Sequence, residues 1–216
     1  MSLSVPAIHA PWLRGLAQVF SYLLHPVFIP GAMAAFLLMG HPMFTLLLDE
    51  QVRVRLLAMV LLNTILFPVL IAFLLWRLGF TKSLQMETQR ERIYPLIINI
   101  IFYFWAWNVS RNLPDIPVPL VQWLLGVFLC GSAAMFTNIF MKISLHTIGM
   151  GGLILFSVMM MLNDPFWPFW MLPLVLLLAG LTGTARLLRE AHVPGEVYAG
   201  YLAGAICQLA GWYIAG

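Results

Sequence analysis

A dense polar segment separates two long apolar runs near the end of the chain, Ala185-Arg-Leu-Leu-Arg-Glu-Ala-His-Val-Pro-Gly-Glu196. Proline is favoured at the first position of a helix, so Pro194 predicts the start of the last helix and places Glu196 at its third position. A carboxylate at that position reaches back over the helix start, where His192 lies. The segment therefore predicts an acid that holds a histidine ring at the end of an apolar helix.

The same segment carries groups that phosphoryl transfer uses. A carboxylate that fixes one imidazole nitrogen leaves the other nitrogen available as a nucleophile. Arg186 precedes His192 in the same segment and offers a planar guanidinium that suits phosphate oxygens. A helix N-terminus also favours an anion. We therefore expect His192 to be poised for attack on a phosphoryl group.

The composition predicts an integral membrane protein. Of the 216 residues, 62% are hydrophobic and 9% are charged, so the apolar surface exceeds what a soluble domain of this size buries. The length allows about six or seven spans of roughly 20 residues joined by short loops. We expect an all-α, polytopic membrane helix bundle of six or seven transmembrane helices, forming a single domain over residues 1–216.

Seven apolar runs are the candidate spans, near residues 16–39, 56–78, 94–110, 119–140, 147–162, 166–184 and 197–215. The third run is short and the sixth follows the fifth closely, so six spans with a re-entrant piece is the alternative. His25-Pro26 predicts a bend in the first span, and we expect a structural rather than a catalytic role for His25. Gly200 and Gly204 predict close packing of the last helix against a neighbour.

The net charge and the first residues of the chain indicate which partners and which location to expect. A net charge of +3, scattered along the chain, excludes a nucleic-acid partner and suits anionic lipid headgroups. The first residues lack the features of a cleaved signal peptide. We expect an integral protein of a bacterial inner (plasma) membrane with the bilayer as its partner, and the sequence predicts no oligomeric state.

A second polar cluster precedes the third apolar run and contains Lys82, Arg90 and Arg92. One interpretation is a hydrated loop whose basic residues anchor it among lipid headgroups. The other is that a cation of the cluster turns inward onto a phosphate. Arg92 is the first candidate for this role, followed by Arg90 and Lys82.

A third polar cluster, Ser144 and His146, lies where the fifth apolar run begins. Serine is favoured as a helix N-cap, and His146 then falls on the first turn of the helix. A lone histidine at this place is more often an interfacial residue than a catalytic one. The two other clusters shift the interpretation towards a shared site.

Counting spans puts the three clusters on one face of the membrane. Two predicted spans separate Arg92 from His146, and two more separate His146 from His192. An even number of crossings returns the chain to the same side. Eight of the 11 Lys and Arg residues fall on this side and three on the other, which by the positive-inside rule favours the cytoplasmic face. Without the four candidate phosphate ligands the count is four against three, so the side stays open.

The spacing Arg186-x5-His192-x3-Glu196 resembles the third signature of the type 2 phosphatidic acid phosphatase superfamily of membrane lipid phosphatases, Ser-Arg-x5-His-x3-Asp. Here Ala185 replaces the serine and glutamate replaces the aspartate. The segment 143–146, Ile-Ser-Leu-His, resembles the second signature, Pro-Ser-Gly-His. It keeps the serine and the histidine but not the proline or the glycine.

The first signature of that superfamily, Lys-x6-Arg-Pro, is matched poorly. Gln85 stands where the lysine would precede Arg92, and Pro95 comes two residues late. The resemblance as a whole covers about residues 82–204.

The resemblance implies a membrane lipid phosphatase that hydrolyses a lipid phosphomonoester or diphosphate through a phosphohistidine, without a metal or another cofactor. It implies that His192 is the nucleophile, that Glu196 orients its ring, and that His146 protonates the leaving oxygen and then activates water. The cations and the serine would hold the phosphate of the lipid substrate: Arg186, Arg92, Arg90, Ser144 and Lys82.

Two other functions stay open. The departures at Ile143, Leu145 and Ala185 motivate a module that binds or moves a lipid on a degenerate phosphatase scaffold without cleaving it. A lipid phosphotransferase would form the same phosphohistidine but pass the phosphoryl group to an acceptor lipid. The identity of the lipid is not encoded in any pattern, because a pocket between helices accepts a lipid chain by shape.

Overall fold

The computed structural model describes residues 11–81 and 88–216, and the regular structure in these ranges is helical. The helices are α1 Pro11–Leu23, α2 Phe28–Ala35, α3 Pro42–Leu47, α4 Glu50–Leu61, α5 Phe67–Arg77, α6 Gln89–Asn112, α7 Val118–Phe140, α8 Leu145–Asn163, α9 Met171–Leu188 and α10 Pro194–Ala215. Two π-helical turns, Phe36–Gly40 and Leu62–Leu66, extend α2 and join α4 to α5.

The predicted all-α, polytopic membrane bundle is confirmed. Five helices are long and apolar enough to cross a membrane, Glu50–Arg77, α6, α7, α8 and α9, and the bent pair α1–α2 gives a sixth if it counts as one span. The seventh apolar run forms α10, which has 22 residues but is not apolar enough to join this set. The protein is therefore an integral membrane protein.

Helix α6 begins earlier than the apolar run predicted. Thr88 Oγ1 accepts a hydrogen bond from the Glu91 backbone N–H at 3.3 Å, and the Glu91 carboxylate accepts one from the Thr88 backbone N–H at 3.3 Å. This reciprocal cap satisfies two backbone donors at the helix start, so the charged residues before the apolar run join the helix. Arg90 and Arg92 therefore lie on the first turn of α6 rather than in a loop.

The short loops between the long helices divide the bundle into two ends. We call the end that holds the starts of α6, α8 and α10 the site end, since the three polar clusters lie there. The opposite end holds the starts of α7 and α9. At the opposite end Nε2 of His41 lies 3.4 Å from the Asp164 carboxylate, so the end of the α2 extension lies beside the end of α8.

The N-terminal pair α1–α2 is bent by 60° at the break after Leu23, where the predicted Pro26 bend falls. Arg14 of α1 forms an ion pair with Glu190 at 3.0 Å, just beyond the end of α9. The Ser21 carbonyl of α1 lies 3.0 Å from Nε2 of His146, on the first turn of α8. Both contacts are with the site end, so α1 lies across that end while α2 and its extension run to the opposite end.

Helix α10 packs closely against α8 and α7, as the small residues predicted. A Cβ added to Gly204 would collide with the Ile148 backbone carbonyl, and one added to Gly200 would collide with the Thr147 side chain. The backbones of α8 and α10 can approach this closely because glycine has no side chain. This packing brings the starts of α8 and α10 side by side and fixes the position of His192 relative to His146.

Replacing Gly204 by alanine should destabilise the protein, because the added methyl group meets the backbone of α8 and cannot be accommodated by a side-chain rotation. Overpacking of this kind costs about 1–3 kcal/mol. Gly180→Ala in α9 is the matched control, since its Cβ would meet no atom within 4 Å. Thermal unfolding in detergent should show a lower midpoint for Gly204→Ala alone. Equal midpoints for the two variants would contradict the packing described.

Candidate active site

The His192–Glu196 pair forms as its local sequence predicts. Pro194 is the first residue of α10, and the Glu196 carboxylate lies 2.8 Å from Nδ1 of His192. The same carboxylate accepts a hydrogen bond from the Val193 backbone N–H at 3.4 Å. Nδ1 of His192 also lies 3.0 Å from the Lys142 carbonyl oxygen. Because both partners of Nδ1 are acceptors, Nδ1 carries the proton and Nε2 keeps its lone pair.

The connection between α7 and α8 brings the three polar clusters together. Within it, the Lys142 carbonyl accepts from His192, and the Ile143 carbonyl accepts from Nη1 of Arg92 at 3.4 Å. The Ser144 backbone N–H donates to the Glu196 carbonyl at 3.5 Å. We call residues 142–144 the hub segment. It gives the start of α6 and the start of α10 a common set of partners, so the clusters meet at one end of the bundle.

Two buried arginines lie around the histidine. Arg92 is 8% exposed on the first turn of α6, and Arg186 is 9% exposed in the last turn of α9. Nε of Arg186 is buried and has no hydrogen-bond partner among the described residues. A buried guanidinium nitrogen without a partner is costly unless an acceptor such as a phosphate oxygen completes it.

These surroundings keep His192 neutral. Burial is the largest cause that lowers the pKa of His192, and the cations of Arg186 and Arg92 lower it further. The hydrogen bond and the charge of Glu196 raise the pKa of His192, but by less than burial and the two cations lower it. A lowered pKa means that the neutral imidazole, with its free Nε2 lone pair, persists below the ordinary titration range of histidine.

The remaining candidates for phosphate binding differ in their placement. Ser144 occupies the N-cap position of α8, but its hydroxyl does not form the predicted cap, and its buried Oγ has no partner among the described residues. Arg90 is exposed on the outside of α6. Consecutive helix positions are about 100° apart, so Arg90 and Arg92 face nearly opposite directions. Lys82 lies outside the described residues.

His146 is buried on the first turn of α8, with two partners that the sequence did not predict. Its Nε2 donates to the Ser21 carbonyl at 3.0 Å, and its ring packs edge-on against the His25 ring at a centroid distance of 5.3 Å. Both partners come from α1 and the break that follows it. The one available signal was a histidine beside a proline in an apolar run, which indicates a break but not its neighbour.

In the described residues, neither a metal site nor a cavity forms part of this arrangement. Within residues 11–81 and 88–216, no group of three His, Cys, Asp or Glu side chains is placed to hold a metal ion. An apolar groove of about 460 Å³ lies at the opposite end of the bundle, lined by Met43, Leu46 and Phe166 among others. The length of the bundle separates this groove from His146 and His192, so it is not part of the site.

Comparisons with protein-family models, with curated proteins and with solved structures found no match for this chain. The geometry itself therefore carries the functional argument. A neutral, oriented imidazole, two buried guanidinium groups and a serine hydroxyl without a partner in the described part of the chain can together attack and hold a tetrahedral anion.

The titration of His192 tests the electrostatics of this site. We expect its midpoint below the ordinary value of 6.5, because burial and two cations disfavour the imidazolium. Glu196→Gln should lower the midpoint further, since it removes the carboxylate charge, and Arg186→Gln should raise it, since it removes a repelling cation. Ring NMR signals of labelled histidine in detergent report each value. A wild-type midpoint above 6.5, or shifts of opposite sign, would contradict the geometry.

Proposed function

We propose that this chain is a membrane lipid phosphatase that hydrolyses a lipid phosphomonoester or diphosphate through a phosphohistidine. The observation that carries the proposal is the neutral His192, held through Nδ1 by Glu196 and Lys142, beside the buried cations Arg186 and Arg92. This is the arrangement that in-line phosphoryl transfer needs, since the nucleophile must be free and the equatorial oxygens must be neutralised. The resemblance to the type 2 phosphatidic acid phosphatase superfamily adds to it.

In the first step, the lone pair of His192 Nε2 attacks phosphorus. The bond between phosphorus and the lipid oxygen breaks, its electron pair stays on that oxygen, and His146 donates a proton to it. Because Nε2 of His146 is occupied by the Ser21 carbonyl, the proton comes from Nδ1. Glu196 stabilises the positive charge on the phosphorylated ring through its contact with Nδ1.

In the second step, water replaces the histidine. His146 Nδ1 takes a proton from the water, the oxygen attacks phosphorus, and the nitrogen–phosphorus bond breaks. Inorganic phosphate leaves, and His192 returns to its neutral state with the proton on Nδ1. The two steps together leave the protein unchanged, and His146 serves first as an acid and then as a base.

The unpaired buried groups support an anion in the site. Arg186 Nε and Ser144 Oγ lack partners among the described residues; Ser144 belongs to the hub segment and Arg186 lies in the last turn of α9, shortly before His192. Buried polar atoms in proteins are nearly always paired, so the expected partner of these two groups is a ligand oxygen or a water molecule. A phosphate offers several strong acceptors at once, which suits a guanidinium and a hydroxyl.

Two of the departures from the superfamily signatures, Leu145 and Ile143, are compatible with this proposal. Leu145, which replaces a glycine, packs against an apolar cluster of Leu96, Ala134, Ile143 and Ile148. Its bulk is therefore accommodated away from the polar groups. Ile143 contributes its backbone carbonyl, which any residue supplies equally well.

The proposal extends to the location: the bilayer that the spans imply is expected to be the inner membrane of a bacterium.

The nucleophile is tested by assaying purified protein for free phosphate with phosphatidic acid and a polyprenyl diphosphate as substrates. His192→Ala should lower release by at least about 10³-fold. A radiolabelled lipid phosphate should leave label on the wild-type protein that is stable in alkali and lost in acid, as expected for phosphohistidine. Equal release from both proteins would exclude catalysis at His192. Lipid-dependent transfer without free phosphate would favour the phosphotransferase.

The two neighbouring arginines of α6 form a matched pair for the phosphate-binding role. Arg92→Ala should lower kcat/KM by roughly 10²–10³-fold, the usual loss for one donor that stabilises the transition state. Arg90→Ala should change it by less than about threefold, because exposed charges contribute little. Phosphate release under the same conditions compares the two. Equal losses, or a larger loss at Arg90, would contradict the assignment of Arg92.

A further inference from the structure

A carboxylate without a paired cation lies at the opposite end of the bundle, where α8 ends. The Asp164 side chain is 11% exposed, and its Oδ1 accepts a hydrogen bond from the Phe166 backbone N–H at 2.8 Å. Its Oδ2 lies 3.4 Å from Nε2 of His41, but neither ring nitrogen of His41 forms a hydrogen bond in the described part of the chain. No described lysine or arginine forms an ion pair with Asp164.

His41 does not supply the missing charge. Its side chain is fully buried and is surrounded by the rings of Phe36, Phe44 and Trp167. Burial lowers the pKa of His41 by more than the charge of Asp164 raises it, so the ring is neutral at pH 7. A carboxylate that is largely removed from water is costly without a cation, and in a membrane protein such a residue often marks a ligand site. The missing cation is therefore expected from a ligand.

The groove beside Asp164 has a lining that suits a hydrocarbon chain. Its volume is about 460 Å³, and Asp164 lines it together with apolar side chains of α3, α7, α8 and α10, among them Met43, Val118, Met160 and Trp212. An apolar surface of this kind favours hydrocarbon over water. The ligand that supplies the cation is therefore expected to carry an apolar chain.

The two side-chain amides of the groove leave oxygen acceptors without a donor in the described chain. Asn163 Nδ2 donates to the Met159 carbonyl at 2.8 Å, and Gln122 Nε2 donates to the Trp212 carbonyl at 2.9 Å. Because each amide nitrogen points at a backbone carbonyl, the side-chain oxygen lies on the other side of the amide and can accept. Together with the Asp164 carboxylate, these oxygens suit a cation that carries N–H donors. A primary ammonium group has one positive charge and three such donors.

We propose that this groove binds a lipid whose headgroup carries a primary ammonium group, as phosphatidylethanolamine does. The ammonium group lies against the Asp164 carboxylate, and a hydrocarbon chain of the lipid occupies the groove. The length of the bundle separates the groove from His192, so this lipid site is distinct from the proposed phosphatase site and does not depend on its activity.

Native mass spectrometry of the full chain in detergent measures the binding. Phosphatidylethanolamine should bind at least about tenfold more tightly than phosphatidylglycerol with the same chains, since a hydrogen bond to a charged group contributes about this much. Phosphatidylcholine has the positive charge but no N–H donor and should bind more weakly than phosphatidylethanolamine. Asp164→Asn should abolish the preference, because the amide keeps an acceptor for the Phe166 N–H but carries no charge. Asp49→Asn makes the same change at an exposed aspartate before α4, at the same end, and should keep the preference.

A second pair of variants tests the hydrocarbon part of the site. Val118→Trp fills the groove and should weaken the binding of both lipids. Leu176→Trp adds the same side chain to an exposed apolar position of α9 outside the groove and should leave binding unchanged. Thermal unfolding checks that each variant folds, and phosphatidylethanolamine should raise the midpoint of the wild type but not that of Asp164→Asn.

Several results would overturn the assignment. Equal binding of the ethanolamine and glycerol lipids, or a preference that persists in Asp164→Asn, would exclude Asp164 as the headgroup ligand. Binding of phosphatidylcholine as tight as that of phosphatidylethanolamine would exclude recognition of the N–H donors. Displacement of the lipid by an equal concentration of free ethanolamine would assign the site to a soluble amine. A dimer that Val118→Trp disrupts would assign the groove to a second copy of the chain.

Discussion

The arrangement of this protein depends on two backbone carbonyls in the hub segment. The oxygens of Lys142 and Ile143 accept hydrogen bonds from His192 and Arg92, residues that lie about 50 positions away on either side. A backbone carbonyl in the connection between two helices has no partner in a helical ladder, so it is available to other elements. In this protein the four residues between α7 and α8 supply such groups at the point where α6, α8 and α10 begin.

Close packing of α8 and α10 makes these hydrogen bonds possible. In a membrane the hydrophobic effect does not drive helices together, so shape and close backbone contact decide which helices pair. The contact between α8 and α10 contains three glycines, Gly151, Gly200 and Gly204. A Cβ added to any of them would collide with a side chain or with the backbone of the other helix. The three glycines therefore let α8 and the start of α10 approach closely enough for the hydrogen bonds of the hub segment to form.

Burial then gives the site its electrostatic character. Water would screen the charges of Arg92 and Arg186 and would solvate the imidazolium form of His192, but all three side chains lie inside the bundle. The cost of burying Arg92 is offset in part by the Ile143 carbonyl and by interaction with Glu196. The result is a neutral histidine in a positive environment, which attracts an anion and leaves the nucleophile unprotonated.

The sequence by itself determined the features that rest on composition and on neighbours in the chain. Apolar runs determined the membrane environment and the helices, and Pro194 with Glu196 determined the contact to His192, because residues four apart at a helix start meet without help from the rest of the fold. Helix α6 begins before the apolar run that predicted it, because Thr88 and Glu91 cap the helix start and the apolar run does not include them.

Only the tertiary structure decided which cation faces inward and what surrounds His146. Arg90 and Arg92 have the same chemistry and nearly the same position in the chain, and the rotation of α6 against α7 buries one and exposes the other. Ser21 and His25 meet His146 because α1 lies across the site end, 125 positions away for the Ser21 contact. No spacing encodes such contacts, since they follow from how whole helices pack and bend rather than from the order of neighbouring residues.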